Sequence, residues 1–359
     1  MSRLLRVGLV LTGGGAEAAY QVGVIQAIAE KDIEITAVSA VGSGALNGAI
    51  VAGAETTREA AVELAKVWHE VAGSAEAALQ IGPVPVLRLG AYLTLLFALG
   101  LSPKVHEHLK NTAGSVHRTF LARRLAELGQ GFSSASAMIG AAIELVNVTT
   151  DDELKGYLSS SLGQALNNVR RPFFVSVYEH GGTPLHALRD GLQFLGLLEA
   201  STPQYIDVSA SDLTGDERLG AVLASSAIPF VCDPIVHQGK CYVDGSFGGL
   251  RRSLGAVPLQ PLRRSKEIDV DVILVVHTEP GVTWNSSQFP DTTVLEIRPS
   301  GKPKGNMGYF WANPGSMKDW IEQGKRDTQE KLETLLAAID GDSVANEARE
   351  NLRKAADWL

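Results

Sequence analysis

The stretch VSAVGSGALN, residues 38–47, decides the fold because a β-branched run leads directly into a turn of small residues. The first half has the composition of a buried strand, and the second half opens an apolar helix. A sharp strand-to-helix turn requires small residues, since neighbouring backbone segments approach it closely. Enzymes that attack esters place a serine at such a turn, so the residue at this bend is the first candidate for a functional role.

A similar pattern lies just before residues 38–47 in the chain. Residues 5–11 read as a strand, Gly13, Gly14 and Gly15 form a turn, and residues 17–31 have apolar positions at helical spacing. Two successive strand–turn–helix units predict a mainly parallel α/β sheet flanked by helices. Residues from about 55 to 170 look mostly helical and predict a helical insertion, and a charged helical pair is expected from Asn313 onward. Further strand signals lie at residues 170–180, 204–212, 240–247, 268–280 and 292–299.

Composition excludes several kinds of protein. The chain has 359 residues and a net charge of -8, so it lacks the basic excess with which nucleic-acid binders neutralise phosphates. Its two cysteines, Cys232 and Cys241, read as reduced thiols, and His and Cys show no metal-ligand spacing. We therefore expect no nucleic-acid partner and no metal.

The apolar segments do not have the length of a membrane span. The first 15 residues read as an early buried strand that ends in glycines, not as a signal peptide, which predicts a cytoplasmic protein. Residues 81–103 form the most apolar segment, but Arg88 and Gly90 interrupt it. This segment is either a core or lid helix or a region that contacts acyl chains or the surface of a bilayer peripherally.

Three stretches taken together carry a family resemblance: LTGGGAEAAYQVGVIQAI (11–28), ITAVSAVGSGALNGAI (35–50) and LASSAIPFVCDPIVHQGKCYVDGSFG (223–248). In order and spacing the chain resembles the patatin-like phospholipases. The resemblance implies a patatin-type, three-layer α/β domain over residues 1–330, followed by a helical tail over 331–359. It also implies hydrolysis of lipid acyl esters by a Ser–Asp dyad, without histidine, metal or cofactor.

The nucleophile position departs from the family pattern. The family's GTSAGALNA falls on residues 40–48, which places Gly42 where the family has its nucleophilic serine and Ala40 at the first glycine of the turn. No G-x-S-x-G occurs anywhere in the chain. Ser43, one position later, and Ser39, three positions earlier, are the nearby hydroxyls. Each is either a structural hydroxyl, for Ser43 a helix cap, or a substitute nucleophile in a rebuilt turn.

The other two family motifs are also altered. The oxyanion loop keeps Gly13, Gly14 and Gly15, but Glu17 stands at the family's arginine and Ala18 at its last glycine. A carboxylate there disfavours a developing oxyanion if it points inward.

The family's aspartate corresponds to Asp244, and Ser246 replaces the second glycine after it. Asp244 is either the base of the dyad or a residue that binds turn amides at a strand end.

These residues leave three hypotheses open. The first is a patatin-fold protein that binds a lipid, an acyl-ester ligand or a protein partner without hydrolysing it. The second is an active acyl hydrolase, either through Ser43 or because Gly42 is an engineered replacement for the catalytic serine. The third is a structural subunit of a larger assembly with no ligand. The sequence leaves the oligomeric state and the natural ligand open.

Overall fold

The computed structural model describes residues 5–75, 152–181, 202–227, 234–247, 253–264, 268, 270–281, 284–301 and 314–356. Within these residues the chain builds an eight-stranded sheet with helices on both faces, as the alternating strand and helix patterns predicted. The strands are β1 Arg6–Leu11, β2 Glu34–Ala40, β3 Phe173–His180, β4 Gln204–Asp207, β5 Ile235–His237, β6 Lys240–Asp244, β7 Val272–Val276 and β8 Val294–Ile297.

The helices of the described residues cover the two faces of this sheet. They are α1 Ala19–Glu30, α2 Ser43–Gly53, α3 Thr57–Ala75, α4 Asp152–Asn167, α5 Gly215–Ser225, α6 Ser253–Ala256, α7 Gln260–Arg264 and α8 Pro314–Ala356. Helices α3 and α4 flank the central part of the predicted insertion, and residues 76–151 between them lie outside the described residues.

The sheet has the order β5-β6-β3-β2-β1-β7-β8, and β4 pairs with β3. Strand β1 lies parallel to both β2 and β7, and the parallel pairing continues from β2 to β3 and from β7 to β8. The sheet is therefore mainly parallel, as the sequence predicted. The short strand β5 was missed because three residues carry too little periodic signal.

Two apolar cores lie on opposite faces of the sheet. The larger core packs α1, α2 and α3 against one face and includes Leu9, Leu11 and Val38. The smaller core lies on the other face, where Val10 and Val275 contact residues of the α6–α7 region such as Leu259. Alternation of neighbouring residues between two cores is the expected result of a strand buried on both faces.

The antiparallel part of the sheet brings the chain back to the end of β2. Strand β3 continues beyond β2, since Ala40 pairs with Val175 and β3 runs on to His180. Strand β6 returns along this extension, so that Asp244 pairs with Val177. This return places Asp244, the last residue of β6, close to the carboxyl end of β2.

The C-terminal region is one helix, α8, and not the pair of helices expected from the sequence. It packs along α1, where Tyr20 and Trp320 meet edge to face with ring centroids 6.1 Å apart. The hydroxyl of Tyr20 donates a hydrogen bond to Asp327 at 3.1 Å. Position 330, the proposed limit of the domain, falls inside this helix, and Leu332 beyond it is fully buried.

Candidate functional site

The glycine loop and the strand-to-helix turn lie side by side at the carboxyl ends of β1 and β2. The amide of Val41 donates to Leu11 O at 3.1 Å. A Cβ placed on Gly42 would lie 3.2 Å from Gly13 Cα. The parallel pairing of their strands places both turns at the same edge of the sheet.

Gly42 occupies the bend in a conformation that side chains rarely adopt. Its φ is 62° and its ψ is -137°, and α2 begins at the next residue. This is the strained backbone of a nucleophile elbow, in which the bend aims one side chain out of the turn. Gly44 allows the close approach of the β1 end, because a Cβ there would lie 2.6 Å from Thr12 O. The turn has therefore kept the geometry of an elbow although its central residue has no side chain.

The last helical turn of α5 holds the elbow backbone from the other side. The Gly42 amide donates to Ser225 O at 3.1 Å, and the Ser226 hydroxyl donates to Gly42 O at 2.7 Å. Ser225 is itself fixed by the bond from its hydroxyl to Ser176 O on β3, at 2.7 Å. Both backbone groups of Gly42 are thus paired, so the elbow is held rigidly.

Asp244 faces the elbow with one unpaired carboxylate oxygen. Its Oδ2 lies 3.4 Å from the position of a Cβ on Gly42. The carboxyl group is almost completely buried, and within the described residues Oδ2 has no hydrogen-bond partner. A serine hydroxyl at position 42 would come within hydrogen-bond reach of this oxygen. Asp244 therefore lies beside the vacated nucleophile position.

The second oxygen of Asp244 serves the local turn. Oδ1 accepts hydrogen bonds from the amide and the hydroxyl of Ser246, both at 2.7 Å. Burial raises the pKa of the Asp244 carboxyl to about 6, against the opposing effect of these two hydrogen bonds. The two interpretations of Asp244 from the sequence thus correspond to its two oxygens, one bound to the turn and the other directed at the elbow.

Ser43 contacts the glycine loop. It is the first residue of α2, and its Oγ accepts a hydrogen bond from the Gly14 amide at 3.2 Å. Ser39, the other nearby hydroxyl, is fully buried within β2, and its Oγ has no partner among the described residues.

The glycine loop continues into a 3-10 turn, Gly15–Ala18, that carries Glu17. Glu17 is only 5% exposed, so a buried acidic side chain stands where the family has a cation. Its backbone amide donates to Gly14 O at 3.1 Å, which closes the loop. On the outer side, the Thr278 hydroxyl donates to Gly13 O at 2.6 Å.

The family model for patatin-like phospholipase matches residues 9–251, which is more than half of the chain. The chain belongs to the patatin-like phospholipase family. The match includes the glycine loop, the elbow and Asp244, and it agrees with the mainly parallel sheet of the structure.

Solved structures of two bacterial proteins are similar to this patatin-like chain. VipD from Legionella pneumophila is 12% identical with a TM-score of 0.44, and the alignment covers 92% of this chain and 67% of VipD. ExoU from Pseudomonas aeruginosa, solved in complex with SpcU, is 13% identical with a TM-score of 0.35. That alignment covers 92% of this chain and 52% of ExoU, so the chain spans about half the length of ExoU. No curated protein sequence matches the chain.

A buried polar network supports the patatin-like loop from behind. Asn47 donates to Ala18 O at 3.1 Å and to Gln21 Oε1 at 2.8 Å, and it accepts from Trp68 Nε1 at 2.8 Å. Gln21 in turn donates to Thr12 O at 2.7 Å. The network joins α1, α2 and α3 to the end of β1, so the loop has little freedom to move.

Sequence reasoning missed these supporting residues. Thr278 and Trp68 stand far along the chain from the glycine loop, and neither belongs to a motif. Asn47 lies within the GALN stretch, which located the elbow but did not reveal the partners of Asn47. Polar residues just after a buried apolar strand, such as Thr278 two positions beyond the end of β7, are the signal that could have indicated a site at this edge.

Two further expectations concern metal ions and contact with a membrane. Within the described residues no group of three or more His, Cys, Asp and Glu side chains could hold a metal ion. The helices of the same residues include none with the length and apolar character needed to cross a bilayer. The apolar segment 81–103, expected to be either a core or lid helix or a region that contacts acyl chains or a bilayer, lies outside the described residues.

Proposed function

We propose that this patatin-like protein binds a lipid or acyl-ester ligand without serine-dependent hydrolysis. The observation that carries the proposal is Gly42 at the elbow, opposite the unpaired oxygen of Asp244. Loss of the nucleophile from a hydrolase of this kind lowers the rate by a factor on the order of 10⁶. In this proposal Asp244 and Gly42 are the remains of the dyad, and Gly13, Gly14 and Gly15 are the remains of the oxyanion loop.

The altered loop supports the same proposal. Catalysis of acyl transfer depends on donors that are already aimed at the developing oxyanion. Here Glu17 is buried in the loop, and the Gly14 amide is bonded to Ser43. An occupied donor disfavours negative charge on a substrate oxygen. Substitutions at several motif positions are expected in a family member whose hydrolytic activity is no longer under selection.

The alternative is an active serine hydrolase, and one observation favours it. The elbow backbone and the position of Asp244 are those that a serine at position 42 would need, so an engineered loss of that serine would leave this geometry. The route through Ser43 has weaker support. Its Oγ accepts the Gly14 amide, and no base is within bonding distance of it among the described residues.

Labelling with a fluorophosphonate probe separates the two functions. The unmodified chain should remain unlabelled and should hydrolyse a short-chain nitrophenyl ester no faster than the background. Labelling that disappears in Ser43→Ala would make Ser43 the nucleophile and overturn the proposal.

Ligand binding is tested separately by equilibrium titration with short-chain lipids and by analysis of lipids that co-purify with the protein. Complete absence of lipid binding would favour a structural subunit or a protein partner.

Peripheral membrane contact through 81–103 and a cytoplasmic location remain part of the proposal. Flotation with phosphatidylcholine vesicles, comparing the full chain with a variant that carries charges in 81–103, tests the membrane contact.

A further inference from the structure

The vacant elbow presents a buried side-chain acceptor to a ligand. An ester carbonyl is an acceptor and needs donors, which hydrolases supply from the oxyanion loop. In this chain the Gly14 amide already donates to Ser43 Oγ at 3.2 Å. The open group at the elbow is instead the Oδ2 oxygen of Asp244, which has no partner among the described residues.

A buried carboxylate oxygen without a partner is costly. Removing such a group from water without a hydrogen bond is unfavourable, and a charged acceptor is affected more than a neutral one. Asp244 is 1% exposed, and Ser246 binds only its Oδ1. A ligand that brings a hydroxyl donor to Oδ2 would therefore be strongly favoured over one that brings a second acceptor.

The space in front of Oδ2 has the size of a small polar group. A Cβ on Gly42 would lie 3.4 Å from Oδ2 and 3.2 Å from Gly13 Cα, so roughly one heavy atom fits where the serine side chain is missing. Gly42 and Asp244 are buried, whereas Gly13 and Ser43 beside them are partly exposed.

We propose that this site binds the free hydroxyl of an aliphatic alcohol, with Asp244 Oδ2 as the acceptor and the empty space at Gly42 as its seat. The inference rests on the proposed function, since it assumes that the site binds lipid without hydrolysis. It specifies the ligand as a lipid alcohol, which presents a donor, in place of an intact ester. The hydroxyl takes the place that a serine side chain would have, and no bond is made or broken.

The first test compares ligands of matched chain length. The full chain is titrated with 1-decanol and with methyl decanoate below the concentrations at which either one aggregates. We expect decanol to bind about tenfold more tightly or better, as a hydrogen bond to a charged group implies. A third titration with 1-decanoylglycerol distinguishes a free alcohol from the hydroxyl of a partly acylated glycerol. Decanol binding more tightly than the methyl ester supports the inference.

The second test changes the acceptor. In Asp244→Asn the Ser246 amide should keep the side-chain oxygen, which leaves the amide nitrogen, a donor, facing the seat. We expect this variant to lose the preference for decanol and to bind methyl decanoate at least as well. Gly42→Ser should also lose decanol binding, because its own hydroxyl occupies the seat. Ser39→Ala, which removes a buried hydroxyl from the same strand, is the matched control and should keep the preference.

The outcomes separate the inference from the proposed function. Methyl decanoate binding as tightly as decanol, or a preference that persists in Asp244→Asn, would overturn the inference while lipid binding stands. Binding of neither ligand would overturn both. Thermal unfolding of each variant verifies that a lost preference does not arise from a lost fold.

Discussion

The hydroxyl of Ser43 and the amide of Gly14 are bonded to each other at 3.2 Å, which joins the first turn of α2 to the glycine loop. In a hydrolase of this family the loop amides are expected to face the substrate. Here a side chain of the protein occupies one of them. Ser43 therefore opposes catalysis where a nucleophile would promote it, because its hydroxyl is bonded to a donor that an oxyanion would need.

This contact predicts that Gly42→Ser alone regains little activity. The new hydroxyl would lie near Asp244, but the Gly14 amide would remain bonded to Ser43. Gly42→Ser combined with Ser43→Ala should react with a fluorophosphonate about 10²-fold to 10³-fold faster than Gly42→Ser, which is the usual effect of one oxyanion donor. Rates of labelling at pH 8 measure this. Full labelling of Gly42→Ser alone would instead identify Gly42 as the engineered loss of a working serine.

Glu17 and Ala18 predict a further gain. Glu17→Arg together with Ala18→Gly, added to Gly42→Ser, should raise nitrophenyl ester hydrolysis by at least about tenfold, because the two changes restore the family's arginine and glycine in the oxyanion loop. The same two changes without Gly42→Ser serve as the control and should give no hydrolysis. Since both side chains are buried, urea unfolding must show that the variant is folded. A folded triple variant no faster than Gly42→Ser would contradict this prediction.

The raised pKa of Asp244 predicts how stability depends on pH. Burial raises its pKa to about 6, above the value of about 3.9 for an unfolded aspartate. The folded protein therefore retains a proton that the unfolded chain has lost. The stability contributed by this group is fully present below about pH 4 and is lost as the pH rises through about 6.

Asp244→Asn should consequently stabilise the protein at pH 8 by about 2–3 kcal/mol relative to the parent, with the difference vanishing near pH 4. Urea denaturation of both proteins across this range measures the difference in the free energy of unfolding. Asp212→Asn, at an exposed position, is the matched control. An Asp244→Asn variant that is less stable than the parent at pH 8 would show that the pKa of Asp244 is lowered and not raised.

Thr278 should stabilise the glycine loop through its bond to Gly13 O. Thr278→Val keeps the shape of the side chain but leaves this carbonyl without its 2.6 Å donor, at a cost of about 1–3 kcal/mol in the free energy of unfolding. Thr278→Ser retains the hydroxyl and should cost less. Amide exchange at Gly14 and Gly15 should become faster in the valine variant alone. Equal stability of the valine and serine variants would show that the hydrogen bond contributes nothing.

Much of the fold followed from local patterns. The β-branched runs at β1 and β2, each followed by small residues and an apolar helix, were sufficient to predict a mainly parallel α/β sheet. The length of α8 was not predictable in the same way. The charged sequence of α8 has no strong periodicity of apolar residues. The position of its first half is set by packing against α1.

The sequence by itself determined the family and the identity of the residue at the elbow, because both depend on the order of residues along the chain. Only the tertiary structure decided which groups face that residue. Strand β6 must return along the extension of β3 before Asp244 can approach Gly42, and β7 must lie beside β1 before Thr278 can bind Gly13. These contacts join positions about 200 residues or more apart, and local propensity does not encode such distances. The pairing of Ser43 with Gly14 and the open oxygen of Asp244 depend on side-chain directions, which are set only when the sheet and its helices pack together.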